Sequence, residues 1–283
     1  MKIFHDKYDG YTELSFSERG GETVADACIA RGQARISAKL RLNGEDTPCY
    51  FLITMGGGLT EGETYETKLN ARAGTHAVVT TQAPAYVFKC INGETTRSNF
   101  DVKVGRDAAL EYLPDDVIPY GRSRYVQTSD IHVAKGGSLM YTDGITAGWS
   151  PNGKDFQYYF AHMISRIYYA EQLVYNDNLI LDPHAYDMAG LGLFDGSRNY
   201  SSFIGVDEKI DNAFVQELQE MGKGFEDAVI GVTRLEGPAL VVRVLGDSLN
   251  GNKAVLGRYI DFVRGKLYGL PHLDMRKDVS FKG

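Results

Sequence analysis

The chain has 283 residues, and its hydrophobic content of 43% is typical of a folded protein with a substantial core. Acidic residues outnumber basic ones by 37 to 30, and the resulting net charge of −7 argues against a general nucleic-acid binder, which needs a basic surface. The sequence contains neither a long apolar run nor the apolar segment of a signal peptide, so we expect no membrane span. The three cysteines form no CxxC pair, which favours reduced, mostly buried thiols and a cytoplasmic location.

Strand patterns dominate residues 1–205. Alternation of apolar and polar residues, or short apolar runs between turn residues, indicates β-strands there. The predicted strands are residues 33–42, 50–55, 63–69, 77–81, 86–90, 98–104, 108–112, 123–133, 138–142, 156–170 and 171–181. The aromatic segment 156–170 also fits a helix, but we favour a strand. Asn92-Gly93, between two strands, predicts a hairpin turn.

The last third of the chain has a different pattern. Apolar residues at helical spacing, from Ile210 to Met221, predict a helix over 209–221. A second helix is predicted over 253–267, with Asp247 or Ser248 as its N-terminal cap. Between them, 228–235 and 239–245 are expected to form a hairpin. The sequence therefore predicts a mainly β fold of stacked, twisted sheets, β-helix-like, with two α-helices in the C-terminal third and one domain over 1–283.

The glycine cluster and the histidines could each suggest a common ligand site, but neither has the required sequence spacing. The cluster Gly56-Gly57-Gly58, followed by Gly62, lacks the Gly-Lys-Ser/Thr ending of a nucleotide-binding loop, so we predict a tight backbone turn. The six histidines show no HxH or HxxxH spacing, which argues against a strong zinc site.

Three carboxylates stand within or directly after predicted strands. Glu111 lies in an apolar segment, Asp143 follows the strand 138–142, and Asp182 follows 171–181. Acidic residues at strand ends can meet at one end of a sheet. Such groups could form the catalytic pair of a glycosidase, supply oxygen ligands to a passing cation, or be ordinary solvated turn residues.

Several segments, in order, resemble the signature of the UreD/UreH family of urease accessory proteins. They are Gly57-Gly58-Leu59-Thr60-Glu61-Gly62-Glu63, Thr80-Thr81-Gln82 with Tyr86-Val87-Phe88-Lys89, Leu110-Glu111-Tyr112-Leu113-Pro114, Ile118-Pro119-Tyr120 and Val242-Arg243-Val244-Leu245-Gly246-Asp247-Ser248. The likeness covers roughly residues 30–265. The loop from Gly148 to Phe156 departs from the family pattern, because Trp149 replaces a common arginine and Lys154 occupies the place of an acidic residue.

The resemblance implies a non-enzymatic scaffold with no tightly bound cofactor. Family members bind the urease apoprotein and the accessory protein UreF, which holds the GTPase UreG, and nickel is thought to move through an internal polar passage. It implies that this chain handles nickel transiently. The residues expected to line or serve such a passage are Thr80, Thr81, Gln82, Glu111, Asp143 and Asp182.

Partner binding also requires exposed anchor residues, for which the dense aromatics are candidates: Tyr158, Tyr159, Phe160, Tyr168 and Tyr169. For each of them, ordinary core and cross-strand packing is the favoured explanation. Two other functions stay open on sequence grounds. One is a β-sandwich carbohydrate-active enzyme that uses Glu111 with Asp143 or Asp182, and it requires an open cleft. The other is a β-rich binding module without any role in metal handling.

Overall fold

The computed structural model of the protein describes residues 7–42, 44–225, 228–275 and 277. Most of them form two twisted β-sheets that face each other. Sheet A has seven strands, whose spatial order is β15 (Gln172–Leu181), β14 (Phe160–Tyr169), β12 (Arg124–Val133), β9 (Thr96–Val104), β6 (Thr64–Ala71), β1 (Gly10–Arg19) and β2 (Glu22–Gly32).

Sheet B has eleven strands. Its main path is β17 (Ala228–Arg234), β18 (Ala239–Gly246), β16 (Asn199–Val206), β13 (Ser138–Thr146), β10 (Ala109–Leu113), β7 (His76–Thr81), β5 (Pro48–Thr54) and β3 (Ala34–Ile36). Three short strands complete it: β4 (Leu40–Arg41) beside β5, and β8 (Ala85–Val87) and β11 (Val117–Pro119), which pair with each other near β13.

The centre of the molecule is a parallel coil. From β5 to β14 the longer strands alternate between the sheets, so that β6, β9, β12 and β14 pair in parallel in sheet A. Strands β5, β7, β10 and β13 do the same in sheet B. Each turn of the chain therefore adds one strand to each sheet, which confirms the predicted β-helix-like stacking.

Two helices cover the outer face of sheet B. Helix α1 (Asn212–Gly222) begins after Asp211, whose carboxylate accepts the Phe214 N–H, and α2 (Leu249–Tyr268) begins after Ser248. Their apolar residues, among them Leu218 and Tyr259, form a second core with residues of sheet B. Both predicted helices are confirmed. Among the described residues, neither helix is long and apolar enough to cross a membrane.

Most predicted strands are present, including the strand predicted over 156–170 and the hairpin of β17 and β18. The strand predicted over 33–42 is wrong in part, because it is divided into β3 and β4. At the break, the Ser37 hydroxyl accepts the N–H of Phe51 at 2.9 Å and so replaces a strand-to-strand hydrogen bond.

The hairpin predicted at Asn92-Gly93 is wrong. Strand β8 belongs to sheet B, whereas the following strand, β9, belongs to sheet A, so the turn connects two sheets. In contrast, the predicted glycine turn is confirmed, because Gly56 and Gly57 have φ angles of 78° and 79°. All three cysteines are free; Cys49 and Cys90 are buried, but Cys28 is exposed, contrary to the expectation of burial for that residue.

Candidate functional site

Glu111 is held in an ion-paired network between sheet B and α2. Its side chain is 0% exposed and lies 2.6 Å from Arg264 Nε and 2.8 Å from His76 Nε2. The guanidinium of Arg264 also contacts Glu45 at 2.8 Å. Because both oxygens of Glu111 already have cationic or imidazole partners, this carboxylate ties α2 to the sheet and offers little free capacity to a passing cation.

A second ion-paired carboxylate, Asp115, lies in the connection between β10 and β11. Lys253 Nζ lies 2.8 Å from one of its oxygens and Lys277 Nζ 2.9 Å from the other. Burial acts to raise the pKa of Asp115, but the two ammonium groups outweigh it and hold this pKa below its usual range. Asp115 is therefore charged and neutralised. We refer to Glu45, His76, Glu111, Asp115, Lys253, Arg264 and Lys277 as the paired cluster.

Exposure increases along the three residues Thr80, Thr81 and Gln82. Thr80 is fully buried, and its hydroxyl accepts a hydrogen bond from Lys277 at 2.6 Å. The Thr81 hydroxyl donates to Asp115 at 2.9 Å, so both threonines adjoin the paired cluster. Gln82 is exposed and lies, with Thr81, at a cavity between the sheets.

Asp143 lies on the opposite face of sheet B from Glu111 and points towards sheet A. It accepts hydrogen bonds from Gln127 Nε2 at 2.9 Å, from Ser165 Oγ at 2.8 Å and from the Gly144 N–H at 2.9 Å. Among the described residues, no lysine, arginine or histidine forms an ion pair with it. Burial raises the pKa of Asp143 to about 6, although the hydrogen bonds from Ser165 and Gln127 favour the charged form.

Asp116 is a second unpaired carboxylate, and our sequence analysis did not single it out. It is buried and accepts a hydrogen bond from Ser201 Oγ at 2.6 Å. Within the described part of the chain, no cation pairs with it; Lys253 contacts its neighbour Asp115 instead. Burial raises the pKa of Asp116 to about 7, against the effect of the Ser201 hydrogen bond. We refer to Asp116 and Asp143 as the unpaired carboxylates.

Gly144 separates the unpaired carboxylates. Asp116 approaches so closely that a Cβ atom at position 144 would overlap its Oδ1 oxygen, and the Tyr200 carbonyl would lie 2.7 Å away. Gly144 also donates its backbone N–H to Asp143. A glycine is thus required here because it lets one carboxylate approach the strand that carries the other.

Asp182 does not join these residues. It follows β15 and accepts the backbone N–H groups of His184 and Ala185 at 2.9 and 3.2 Å, so it stabilises its own turn. Among the described residues, no group of three or more histidine, cysteine, aspartate or glutamate side chains is arranged to hold a metal ion. The predicted residues Glu111, Asp143 and Asp182 therefore form no common ligand set in this structure.

A cavity of about 200 Å³ opens between the sheets near Gln82 and reaches Ser98 and Tyr112. From Ser98, hydrogen-bonding side chains continue to Tyr125, whose hydroxyl donates to Gln127 at 3.0 Å, and Gln127 in turn donates to Asp143. The buried hydroxyl of Tyr112 has no hydrogen-bond partner among the described residues. The polar row therefore extends from the cavity to Asp143, and Tyr112 leaves one hydrogen-bonding group available to water or a ligand.

The five aromatic residues considered as partner anchors are packed within the fold. Tyr158 is buried, Tyr159 lies under the guanidinium of Arg124 at 4.5 Å, and Tyr168 stacks on His132. Phe160 and Tyr169 are half-buried, and the Tyr169 hydroxyl donates to Glu208. None of the five is an exposed anchor in the described structure.

Comparison with known proteins gives a consistent result. The model of the UreD urease accessory protein family matches residues 8–278. The urease accessory protein UreD of Streptococcus salivarius (strain 57.I) is 41% identical over 272 residues, which cover 96% of this chain and 97% of that protein. UreD of Actinomyces naeslundii is 32% identical over 95% of this chain and 98% of the relative, and UreD of Ureaplasma urealyticum is 30% identical over 86% of each. The chain therefore belongs to the UreD family of urease accessory proteins.

Proposed function

We propose that this protein is a non-enzymatic scaffold in urease maturation, working in the cytoplasm and passing nickel to the urease apoprotein. In this proposal it binds the apoprotein and UreF, and it reaches the GTPase UreG through UreF. The close similarity to proteins named urease accessory protein UreD supports the role in urease maturation. The proposal that nickel passes through the protein is supported by the buried carboxylates in the interior of this chain.

The observation that carries the nickel proposal is the contrast between paired and unpaired carboxylates. Asp143 and Asp116 are acidic groups without a cationic partner in the described structure, although burying an uncompensated carboxylate is costly. A divalent cation that passes near them would relieve this cost temporarily. The polar row from Ser98 to Asp143 supplies hydroxyl, amide and carboxylate groups, which suit a weakly held cation.

Weak binding agrees with a transit role. A tight nickel site would combine several imidazole, thiolate or carboxylate ligands in one place, and no such group is present among the described residues. A metal that must leave the protein has to be released at each step, so separate oxygen ligands serve transfer better than a closed cage. In this proposal Thr81 and Gln82 lie at the cavity mouth, and Asp143 lies further inside.

The geometry gives no support to the carbohydrate-active alternative. Glu111 faces α2, where Arg264 neutralises it and His76 contacts it, whereas Asp143 faces sheet A. Asp182 is engaged in its own turn. A glycosidase requires two carboxylates on either side of one substrate bond, and neither pairing of Glu111 meets that requirement across the sheet.

The scaffold role is tested by co-expressing the chain with UreF, UreG and the urease apoprotein, and purifying on a tag carried by this chain. We expect all three partners to co-purify and the eluate to show urease activity after addition of nickel and GTP. Urease apoprotein that is produced with UreF and UreG but without this chain should stay inactive after the same addition of nickel and GTP. Failure of a soluble, folded sample to recover the apoprotein or UreF would refute the scaffold role.

A further inference from the structure

A groove of about 550 Å³ lies at the end of the coil where β8 and β11 approach the loop after β13. Its walls include Phe88, Tyr120, Trp149, Lys89, Arg122 and Gln157. We refer to it as the Trp149 groove. It is separate from the cavity between the sheets, and neither the polar row nor the paired cluster contributes to its lining.

The aromatic residues of the groove form a ladder. The ring centroids of Tyr120 and Trp149 are 4.8 Å apart, and Phe88 packs edge-on against Tyr120 at 5.2 Å. Trp149 nevertheless remains 52% exposed. Backbone hydrogen bonds fix the ladder, because the Gly121 N–H donates to the Trp149 carbonyl and the Trp149 N–H to the Pro119 carbonyl. The groove thus presents a rigid aromatic surface to the exterior.

Two cations flank this surface. Lys89 and Arg122 are both exposed, and within the described residues no carboxylate pairs with either. The described residues that line the groove include no acidic side chain, although acidic residues outnumber basic ones in the whole chain by 37 to 30. The groove is therefore locally basic on an acidic protein.

Arg122 occupies an unfavourable backbone conformation. Its φ angle is 66°, in the left-handed region that residues other than glycine, asparagine and aspartate seldom adopt. The preceding residue is already a glycine, and a second glycine at 122 would remove the strain. Strain of this kind concentrates at binding sites, where a side chain must be presented in a fixed direction.

An exposed apolar residue is held near the same edge. Ile91, two positions after Lys89, is 74% exposed. The carboxylate of Glu61 accepts the backbone N–H groups of Ile91, Asn92 and Glu94, at 2.7, 2.7 and 3.0 Å. Desolvation acts to raise the pKa of Glu61, but these hydrogen bonds outweigh it and lower this pKa. The segment is ordered, and its isoleucine is directed to solvent.

We propose that the Trp149 groove docks a segment of a partner protein in which an aromatic or leucine side chain is flanked by carboxylates. The apolar side chain would lie on the Trp149–Tyr120 ladder, and the carboxylates would pair with Arg122 and Lys89. Charge complementarity selects this occupant, because a neutral or basic segment would leave both cations unpaired.

Two other ligand classes fit the groove less well. Sugar binding would use amide or carboxylate groups, but no carboxylate lines the groove among the described residues. Its two amides are partly engaged, because Asn152 Oδ1 accepts hydrogen bonds from Ser150 and the Lys154 N–H, and Gln157 Nε2 donates to the Asp155 carbonyl. Single-stranded nucleic acid also stacks on aromatic residues, but it requires a basic track much longer than two residues. The two cations of the groove therefore favour an acidic peptide over a nucleic acid.

The intrinsic fluorescence of the protein provides a direct test, since Trp149 is the only tryptophan in the sequence. The full chain is titrated with the capped peptide Glu-Glu-Asp-Phe-Leu-Asp-Glu and with its amide counterpart Gln-Gln-Asn-Phe-Leu-Asn-Gln. We expect a saturable change in Trp149 emission with the acidic peptide. The affinity for the amide peptide should be at least tenfold lower, and added salt should lower the affinity for the acidic peptide.

Substitutions separate binding from folding. Arg122→Gly relieves backbone strain, so the melting temperature should stay the same or rise while affinity for the acidic peptide falls at least fivefold. Lys89→Glu should lower affinity similarly. Glu171→Gly is the matched control, because Glu171 also has a left-handed φ, of 65°, in an exposed turn remote in sequence. It should leave the affinity unchanged.

Three results with the peptides would overturn the proposal. They are the absence of saturable binding of the acidic peptide up to millimolar concentration, an equal response to the two peptides, and unchanged affinity in stable Arg122→Gly protein. Tighter binding of an oligothymidylate than of the acidic peptide would also overturn it and would assign the groove to single-stranded nucleic acid.

Discussion

Asp115 and Asp116 are neighbours in the chain, yet their carboxyl groups lie in opposite electrostatic environments. Asp115 belongs to the paired cluster and contacts two lysines, whereas Asp116, like Asp143, has only uncharged hydrogen-bond donors among the described residues. The pKa of Asp115 is lowered, but the pKa values of Asp116 and Asp143 are raised to about 7 and 6. Burial alone therefore does not identify the groups available to a cation; a buried carboxylate is available only where no counter-charge contacts it.

The largest expected effect comes from removing the central cation of the paired cluster. Arg264→Met leaves Glu111 and Glu45 buried without a charged partner on that side, and we expect a loss of about 3–5 kcal/mol in the free energy of unfolding. Urea denaturation measures this loss. Combining Arg264→Met with Glu111→Leu should restore part of the stability, because it removes one buried charge.

Arg166→Met is a matched control for that experiment. Arg166 also forms a bidentate ion pair, with the Asp130 carboxylate, but both side chains are more than a third exposed. We expect a loss below about 1 kcal/mol. Equal losses for the two arginine variants would contradict the distinction between the paired cluster and ordinary surface ion pairs.

The next effect concerns the space between the unpaired carboxylates. Gly144→Ala introduces a methyl group that overlaps Asp116, so we expect a loss of about 1–3 kcal/mol in the free energy of unfolding. Gly231→Ala in β17 serves as control, because a Cβ atom there meets no atom within 4 Å. If both alanine variants are equally stable, Asp116 does not pack against β13 as described.

An effect of similar size but opposite sign is expected for Asp143→Asn. The pKa of Asp143 is raised on folding from 3.8 to about 6, so the folded state binds more protons than the unfolded state between these values. The contribution of Asp143 to stability is therefore present below pH 4 and is lost as the pH rises through 6. At pH 8, Asp143→Asn should stabilise the protein by about 3 kcal/mol.

Measuring urea midpoints at pH 4 and pH 8 tests this sign. The gain from Asp143→Asn should be absent at pH 4 and fully present at pH 8. Asp101→Asn, on the outer face of sheet A, should show no such difference. Destabilisation by Asp143→Asn at pH 8 would mean that the carboxylate has a cationic partner in solution.

The smallest expected effect is that of Arg122→Gly on stability. Relief of the left-handed φ should stabilise the protein by up to about 1 kcal/mol, partly offset by the greater freedom of glycine in the unfolded chain. Thermal unfolding of the variant beside Glu171→Gly measures it. A clear loss of stability would show that the Arg122 side chain contributes to folding and would weaken the case for a binding role.

Much of the fold could be predicted because local patterns determine it. The alternating strands and the two amphipathic helices, with Ser248 as the cap of α2, follow from periodicity and capping residues. Partner choice between strands could not be predicted in the same way. Asn92-Gly93 has the sequence of a hairpin turn, but in a coil the next strand joins the other sheet.

The candidate site was predictable only in part. Asp143 was identified from its position at a strand end, and Glu111 from its apolar surroundings, but the two look alike in the sequence. Their difference arises from Arg264, which lies 153 positions after Glu111 and reaches it only in the folded protein. Asp116 was missed for the same reason. Asp115 and Asp116 look alike in the sequence, and only folding brings Lys253 and Lys277 into contact with Asp115.

The most direct test of the central claim measures nickel in urease matured with variants of this chain. Asp143→Asn and Asp116→Asn, singly and together, are compared with Asp101→Asn in the co-expressed complex, and nickel per purified urease active site is determined by elemental analysis. We expect unchanged recovery of all partners with every variant, but at least fivefold less nickel with the double variant and normal loading with Asp101→Asn. Normal nickel loading by a stable double variant would contradict the role of the unpaired carboxylates in transfer.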